Sequence, residues 1–419
     1  MWRFVYTALY LLALPVVMLR LLWRSRREPG YRHDLAARFG RWHAAPESGG
    51  IWVHAVSVGE TVAAVPLLRG VEALAPSAPR ILTVTTAAGR ERAADLLGDS
   101  VHLSWLPWDL PWCVRAFLRR TRPRLLVLIE TELWPNLIHE CGRFGVRVAL
   151  VNARLSPRSA AGYRRVGGLT RRMLAGLDVI ACQDEASADR FRALGAPPGR
   201  VTCPGNMKFD AVLPGDLSAR MDRARERLGL DDGPLLIAAS THEGEDAAVL
   251  RSFVPLLQRH PDWRLLIVPR HADRFDDVWR LLDRSALPAA RLSAGEVPAG
   301  SRLLLGDLMG ELLTLYGLAD AAFLGGSLVR HGGHNPIEPA WHGVPVFSGP
   351  HLFNFADVAE RFIAAGALEV VADADALALA MERVIEDEDL WQQRSDAARA
   401  VVDANRGALG AILAAVRPV

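Results

Sequence analysis

The sequence predicts an α/β protein of two doubly wound parallel-sheet (Rossmann-like) domains behind an apolar N-terminal helix. Three observations carry this. Short apolar runs alternate with helical patterns along most of the chain, which marks strand–helix–strand units and a parallel sheet. The alternation weakens once, over residues 205–233, and then resumes as a second series. With 419 residues, the chain is long enough for two ordinary domains, each with its own core. Finally, the unusual polar clusters all fall just after predicted strands, where open α/β sheets gather their ligands.

The bulk composition excludes several classes. Half the residues are hydrophobic and the formal net charge is +2. The chain therefore has material for a core and lacks the large basic excess on which nucleic-acid affinity depends, so nucleic acid is not an expected partner. Cys113, Cys141, Cys182 and Cys203 are far apart and form no C-x-x-C pair. That pattern fits a reduced compartment with neither a disulfide framework nor a zinc site.

The first element is an apolar run over residues 4–19, continued at 21–23 past Arg20. It is at the short end for a membrane span, and no small-x-small cleavage site follows it. Arg20, Arg24, Arg26 and Arg27 come after the run, so as an anchor it would leave the rest of the chain on the cytoplasmic side. Whether such an anchor crosses the bilayer or lies in its surface is open from sequence.

Apolar runs at 51–56, 81–85, 125–129, 146–151 and 179–182 read as strands of a first domain. Those at 235–239, 265–268, 303–305, 321–324, 344–347 and 368–371 read as strands of a second. The expected division is an anchor at 1–27, a domain at 28–210, a linker at 211–233 and a domain at 234–419. The last helix is free to pack back on the first domain. Two such domains make a cleft.

In the first domain Glu60 follows Gly59 at a helix start, where the dipole helps keep it ionised and available as a general base. Taken alone it reads more readily as an ordinary first-turn glutamate. Glu130 and Glu132 bracket the end of another strand, and alternation would send one to the cleft and the other to the turn or core. Asn152 and Arg154 occupy the matching place after the next strand, and Lys208 sits near the linker.

In the second domain Ser240 and Thr241 follow one strand, Pro269 and Arg270 the next, and Asp307 to Leu312 open a helix around Gly310. An arginine there suits bidentate phosphate binding. The stretch from Leu324 to Val346 is densest in polar residues, with Ser327, His331, His334, Asn335 and Glu338 beside Gly325, Gly326, Gly332 and Gly333. It reads as a glycine loop offering N–H groups to a phosphate, with Glu338 in the first helical turn, placed either to meet a ribose diol or merely to cap the helix. Together these features predict a nucleotide site without a P-loop or a G-x-G-x-x-G turn. His331 and His334 are suitably spaced for a metal, but no carboxylate or cysteine cluster completes a coordination set.

Eight segments in order, WVHAVSVGET, IETELWPN, VNARLS, GNMKFD, ASTHEGE, PRH, DLMGEL and GGSLVRHGGHNPIEPA, resemble those of the bacterial 3-deoxy-D-manno-octulosonic acid (Kdo) transferases of lipopolysaccharide assembly. The resemblance runs from the anchor to about residue 355, and Leu308 departs from it where a smaller polar residue is expected. It implies a GT-B glycosyltransferase whose N-terminal domain binds the acceptor and whose C-terminal domain binds CMP-Kdo. Glu60 would be the base acting on the glucosamine 6'-hydroxyl of a lipid A precursor (lipid IVA), with inversion at the anomeric centre. Glu130 and Lys208 would stabilise the transition state. The CMP contacts would be Pro269, Arg270, Met309, Gly310, Glu311, Asn335, Pro336, Ile337 and Glu338. No metal or cofactor is implied, and the location is the cytoplasmic face of the inner membrane. Two other readings compete: a UDP-sugar epimerase-like enzyme on the same frame, which would have no use for the anchor, and a non-enzymatic membrane-tethered nucleotide-binding protein.

Overall fold

The computed structural model describes residues 2–26, 28–42, 47–210, 213–230 and 233–417; Arg27 and four residues of the expected linker, 211, 212, 231 and 232, lie outside them. The chain forms two compact units, Met1–Val212 with Asn405–Val419, and Leu213–Ala404. Among the described residues each unit holds one seven-stranded sheet.

The first sheet is built from β1 (Ile51–His54), β2 (Arg80–Val84), β3 (His102–Trp105), β4 (Leu125–Ile129), β5 (Arg147–Ala153), β6 (Val179–Cys182) and β7 (Val201–Thr202). Their order is β3-β2-β1-β4-β5-β6-β7, and every pairing is parallel. β1 and β4 are buried on both faces, which is why they are unbroken apolar runs. The pleat sends Trp52, Leu126 and Leu128 to one core and Ile51, Val53, Val127 and Ile129 to the other.

The second sheet comprises β8 (Leu235–Thr241), β9 (Arg264–Pro269), β10 (Ala289–Arg291), β11 (Leu303–Leu305), β12 (Ala321–Leu324), β13 (Val346–Ser348) and β14 (Leu368–Val370). It runs β10-β11-β9-β8-β12-β13-β14, again wholly parallel. The chain winds outward in opposite directions from the pair β1 and β4 in the first sheet and from the pair β8 and β12 in the second. Such switch points open a crevice beyond the carboxyl ends of the strands.

β3, β7 and β10 were not among the expected strands. All three are edge strands. An edge strand is covered less completely, so HLSW, VT and AAR never form an apolar run long enough to read as a strand.

Part of the stretch expected as a linker is ordered structure of the second unit. Its helix Leu217–Leu228 buries Leu217, Ala224 and Leu228 along one face. The final helix, Ala408–Ala415, belongs to the first unit. The Asp210 carboxylate accepts from the N–H groups of Gly407 and Leu409 at 2.6 and 2.7 Å, fixing that helix at its start. Leu413 fills the space a Cβ at Gly70 would need.

The first helix, α1 (Trp2–Arg24), is long and apolar enough to cross a membrane. In this fold it packs on the first unit: Leu14 is buried with Leu110 and Cys113, and Tyr10 and Met18 pack against them.

Candidate active site

In the first unit Glu60, Glu130, Arg154 and Lys208 lie beyond the carboxyl ends of β1, β4, β5 and β7, and Asn152 lies within the last residues of β5, one place earlier than expected. Glu60 starts the helix Val58–Leu74 behind β1. Ser57 caps that helix, its Oγ accepting from the Glu60 N–H at 3.3 Å. In return the Glu60 carboxylate accepts from Ser57 Oγ at 3.0 Å and from the Val56 N–H at 2.8 Å. This is a variant of the capping box, so the ordinary helix-start role of Glu60 is real. It coexists with a perturbed carboxyl. Burial pushes the Glu60 pKa up from its usual value, the Val56 N–H opposes this, and the Glu130 and Glu132 charges add to the rise.

Glu130 begins where β4 ends and has φ of +62°, a left-handed backbone that is uncommon for a non-glycine residue. Its carboxylate pairs with Lys208 Nζ at 2.8 Å, each side chain about a quarter exposed. Glu132 instead accepts from Trp134 Nε1 at 2.8 Å and lies 3.8 Å from His54 Nε2. Both glutamates lie past the end of β4, and they take different partners, Glu130 meeting Lys208 and Glu132 meeting Trp134 and His54. Both charges act on Glu60.

Lys208 is held by residues that say nothing of it in the sequence. Buried Asn152, with φ of +50°, accepts from the Met207 N–H at 3.0 Å through Oδ1. Asn206 accepts from the Lys208 N–H at 3.0 Å. Asn152 is thus a clamp on the lysine segment, while Arg154 offers its carbonyl to Thr131. We expect Asn152→Ala to lower the thermal midpoint and to cost about 1–3 kcal/mol, since it strands a buried N–H. An Asn152→Gly variant should recover only the backbone part of that loss.

In the second unit the elements meet at the switch between β8 and β12. Ser240 has φ of +56°, and the β8–β9 register shifts between Ala239 and Thr241. Thr241 Oγ1 donates to Asp246 at 2.5 Å, and Arg274 pairs with the same carboxylate and donates to the Thr241 carbonyl at 3.0 Å. Arg270, just past Pro269 of β9, is exposed, and its N–H donates to the Thr241 carbonyl at 3.0 Å.

The first part of the glycine loop is engaged by a side chain of its own unit. The N–H groups of Gly326, Ser327 and Leu328 donate at 2.6, 3.0 and 2.9 Å to the carboxylate of Glu245, which also accepts from the His242 N–H at 2.9 Å. An internal carboxyl group thus occupies the three loop donors. Gly325 is required there because a Cβ would lie 2.5 Å from the Ser240 carbonyl oxygen.

Beside this loop, His242 and His334 oppose their Nε2 atoms at 3.2 Å, and His331 stacks on His242 with ring centroids 4.3 Å apart. Burial, then neighbouring imidazoles and arginines, push His242 down to about 4; burial, then Arg270, push His334 down to about 3. Both rings are therefore neutral near pH 7, and one donates to the other. Among the described residues the group close enough to share a cation is His260, Glu382 and Glu386, away from His331 and His334, and Arg259 already pairs with Glu382 there.

Met309 is exposed, Gly310 has φ of +84°, and Glu311 starts the short helix Leu312–Tyr316 and pairs with Arg220 at 3.4 Å. Asn335 accepts from the Ile337 N–H at 3.2 Å and so shapes the turn into the helix Ile337–Trp341. Pro336 and Ile337 are buried, while Glu338 is half-buried in the first turn. That helix has five residues, too short to supply much dipole to an anion.

Two α/β units with polar side chains collected at their switch points define a GT-B protein. A solved UDP-GlcNAc 2-epimerase from Neisseria meningitidis shares this fold, with a TM-score of 0.62 at 13% identity, covering 87% of this chain and 99% of that one. A glycosyltransferase from Rickettsia africae does so with a TM-score of 0.58 at 12% identity, covering 88% and 98%. The sequence profile of the family described as 3-Deoxy-D-manno-octulosonic-acid transferase (kdotransferase) matches residues 33–211. The 3-deoxy-D-manno-octulosonic acid transferase of Haemophilus influenzae is 40% identical over 422 residues, covering 100% of this chain and 99% of the relative. That of Bordetella pertussis is 40% identical over 425 residues, covering 97% of each. The chain belongs to the Kdo transferase family and is a glycosyltransferase, which sets aside the epimerase and scaffold readings.

Proposed function

We propose that the chain moves Kdo from CMP-Kdo to the glucosamine 6'-hydroxyl of a lipid A precursor, lipid IVA, in one inverting displacement at the cytoplasmic face of the inner membrane. The observation that carries this reading is the Glu60 carboxyl, held at the first switch point with a raised pKa beside the Glu130–Lys208 pair. A carboxylate there serves as a base: it takes the proton as the acceptor oxygen bonds to the anomeric carbon. The bond from that carbon to the phosphate oxygen breaks, and CMP leaves with both bonding electrons. The sugar passes through a cation-like state that fixed charges can stabilise without reorganising. The Glu130–Lys208 pair supplies such charges. Donor binding falls to the second unit, with Arg270 meeting the phosphate and Glu338 the ribose.

The test is incubation of the purified full chain with CMP-Kdo and a tetraacylated lipid A precursor, reading product mass. Gain of one or more Kdo units is the expected result, and no gain with an active relative as control sinks the reading. The raised pKa of Glu60 sets a sign for pH dependence. Below that pKa the carboxyl holds its proton and cannot act as base, so the acid limb of kcat/KM should lie above the ordinary glutamate range. In Glu132→Gln one raising charge is removed, and the limb should move to lower pH.

A further inference from the structure

Along α1, Arg3, Tyr6, Thr7, Tyr10, Leu14, Met18 and Leu21 recur at threes and fours and so share one face. That face is turned to the first unit from end to end. Arg3 pairs with the buried carboxylate of Glu140 at 3.1 Å, Asn136 Nδ2 donates to Thr7 Oγ1 at 3.0 Å, Leu14 is buried with Leu110, and Leu21 packs on the core that includes Tyr31. From Arg3 to Leu21 the contact runs for about 27 Å at 1.5 Å per residue. The opposite face is apolar: Phe4, Leu9, Leu12, Val16, Leu19 and Trp23 are 61–76% exposed.

A spanning α1 could keep this contact only if the surface beside it entered the hydrocarbon as well. That surface carries the Glu140 carboxylate with its partners Arg115 and Arg143, and exposed Arg171 and Arg172 on the neighbouring helix Gly167–Leu174. Charges at that depth are costly. Detaching α1 instead would expose Leu14, Leu110 and Cys113 and separate Arg3 from Glu140. Lying flat avoids both costs.

We propose that α1 lies in the plane of an anionic bilayer surface, docked on its own domain by the polar-to-apolar stripe from Arg3 to Leu21, with its outer face sunk into one leaflet. This rests on the membrane association proposed above and decides its geometry. The occupant of the outer face is lipid because the surroundings complement anionic head groups: Arg20, Arg24 and Arg26 are exposed at the end of α1, and Arg164, Arg165, Arg171 and Arg172 are exposed on the helices Pro157–Arg165 and Gly167–Leu174.

The experiment uses the full chain with Leu12→Cys in a Cys203→Ser background, the other three thiols being buried. Leu12 is exposed near the middle of α1, so the change removes no packing. An environment-sensitive fluorophore on this thiol is read in vesicles of phosphatidylcholine and phosphatidylglycerol carrying either shallow or deep spin-labelled lipids. A flat helix gives stronger quenching by the shallow label. Stronger quenching by the deep label puts residue 12 at the midplane and overturns the flat orientation while leaving membrane association standing. No quenching by either overturns both, and a dimer in solution then identifies a second copy as the cover. Binding to pure phosphatidylcholine vesicles should be at least about tenfold weaker and insensitive to salt; equal binding to both vesicle types overturns the role of the arginines.

Discussion

Glu60→Gln is expected to lower Kdo transfer by about 10²- to 10⁴-fold, the usual contribution of a positioned general base, while CMP-Kdo binding is unchanged. Glutamine is the informative replacement because Glu60 also holds the helix start. Its carboxylate accepts from both Val56 and Ser57, and a glutamine oxygen can keep one of these bonds. Alanine would lose both and add a capping cost of about 1 kcal/mol to the kinetic effect. Product mass gives the rate, calorimetry with CMP-Kdo gives the binding, and the thermal midpoint reports the fold. Transfer at the unaltered rate would show that Glu60 is only a cap.

For Glu245→Ala the expected loss is in stability and donor affinity together. Four N–H groups, of His242, Gly326, Ser327 and Leu328, donate to this one buried carboxylate. Two of the four bonds are buried, and each buried donor left without a partner costs about 1–3 kcal/mol, so a deficit of at least about 2 kcal/mol is expected. The loop from Gly325 to Glu338 should then lose its shape, and CMP-Kdo binding should weaken with the fall in thermal midpoint. Glu245→Gln, which retains one acceptor oxygen, should fall between. A folded alanine variant with native stability would mean that the loop holds itself without the carboxylate.

The two carboxylates also mark how far the candidate site was legible. Glu60 stood out because it follows a strand and a glycine at a helix start, a position with a local chemical meaning. Glu245 occupies a comparable place in ASTHEGE, yet three of its four partners are more than eighty residues away in sequence. No local pattern can announce that pairing, and from sequence the glycine loop shows only its free donors. The same holds for Asn152, whose side chain clamps a segment fifty-five residues on, and for the opposed rings of His242 and His334. Glu130 is a different case: alternation applies within a strand, and its left-handed backbone lies just beyond one, so its pairing with Lys208 is a tertiary matter.

By itself the sequence determined the α/β class, the interior strands and the family. Strands buried on both faces must be apolar throughout, and helices between them must carry a periodic stripe, so burial is written locally. Only the tertiary structure decided that β3, β7 and β10 complete the sheets, which carboxyl group engages the glycine loop, how Lys208 is held beside Glu130, and against what α1 lies. Each of these depends on groups brought together across long stretches of chain. Their pairing is set by the fold that brings distant segments together, not by the composition of either segment.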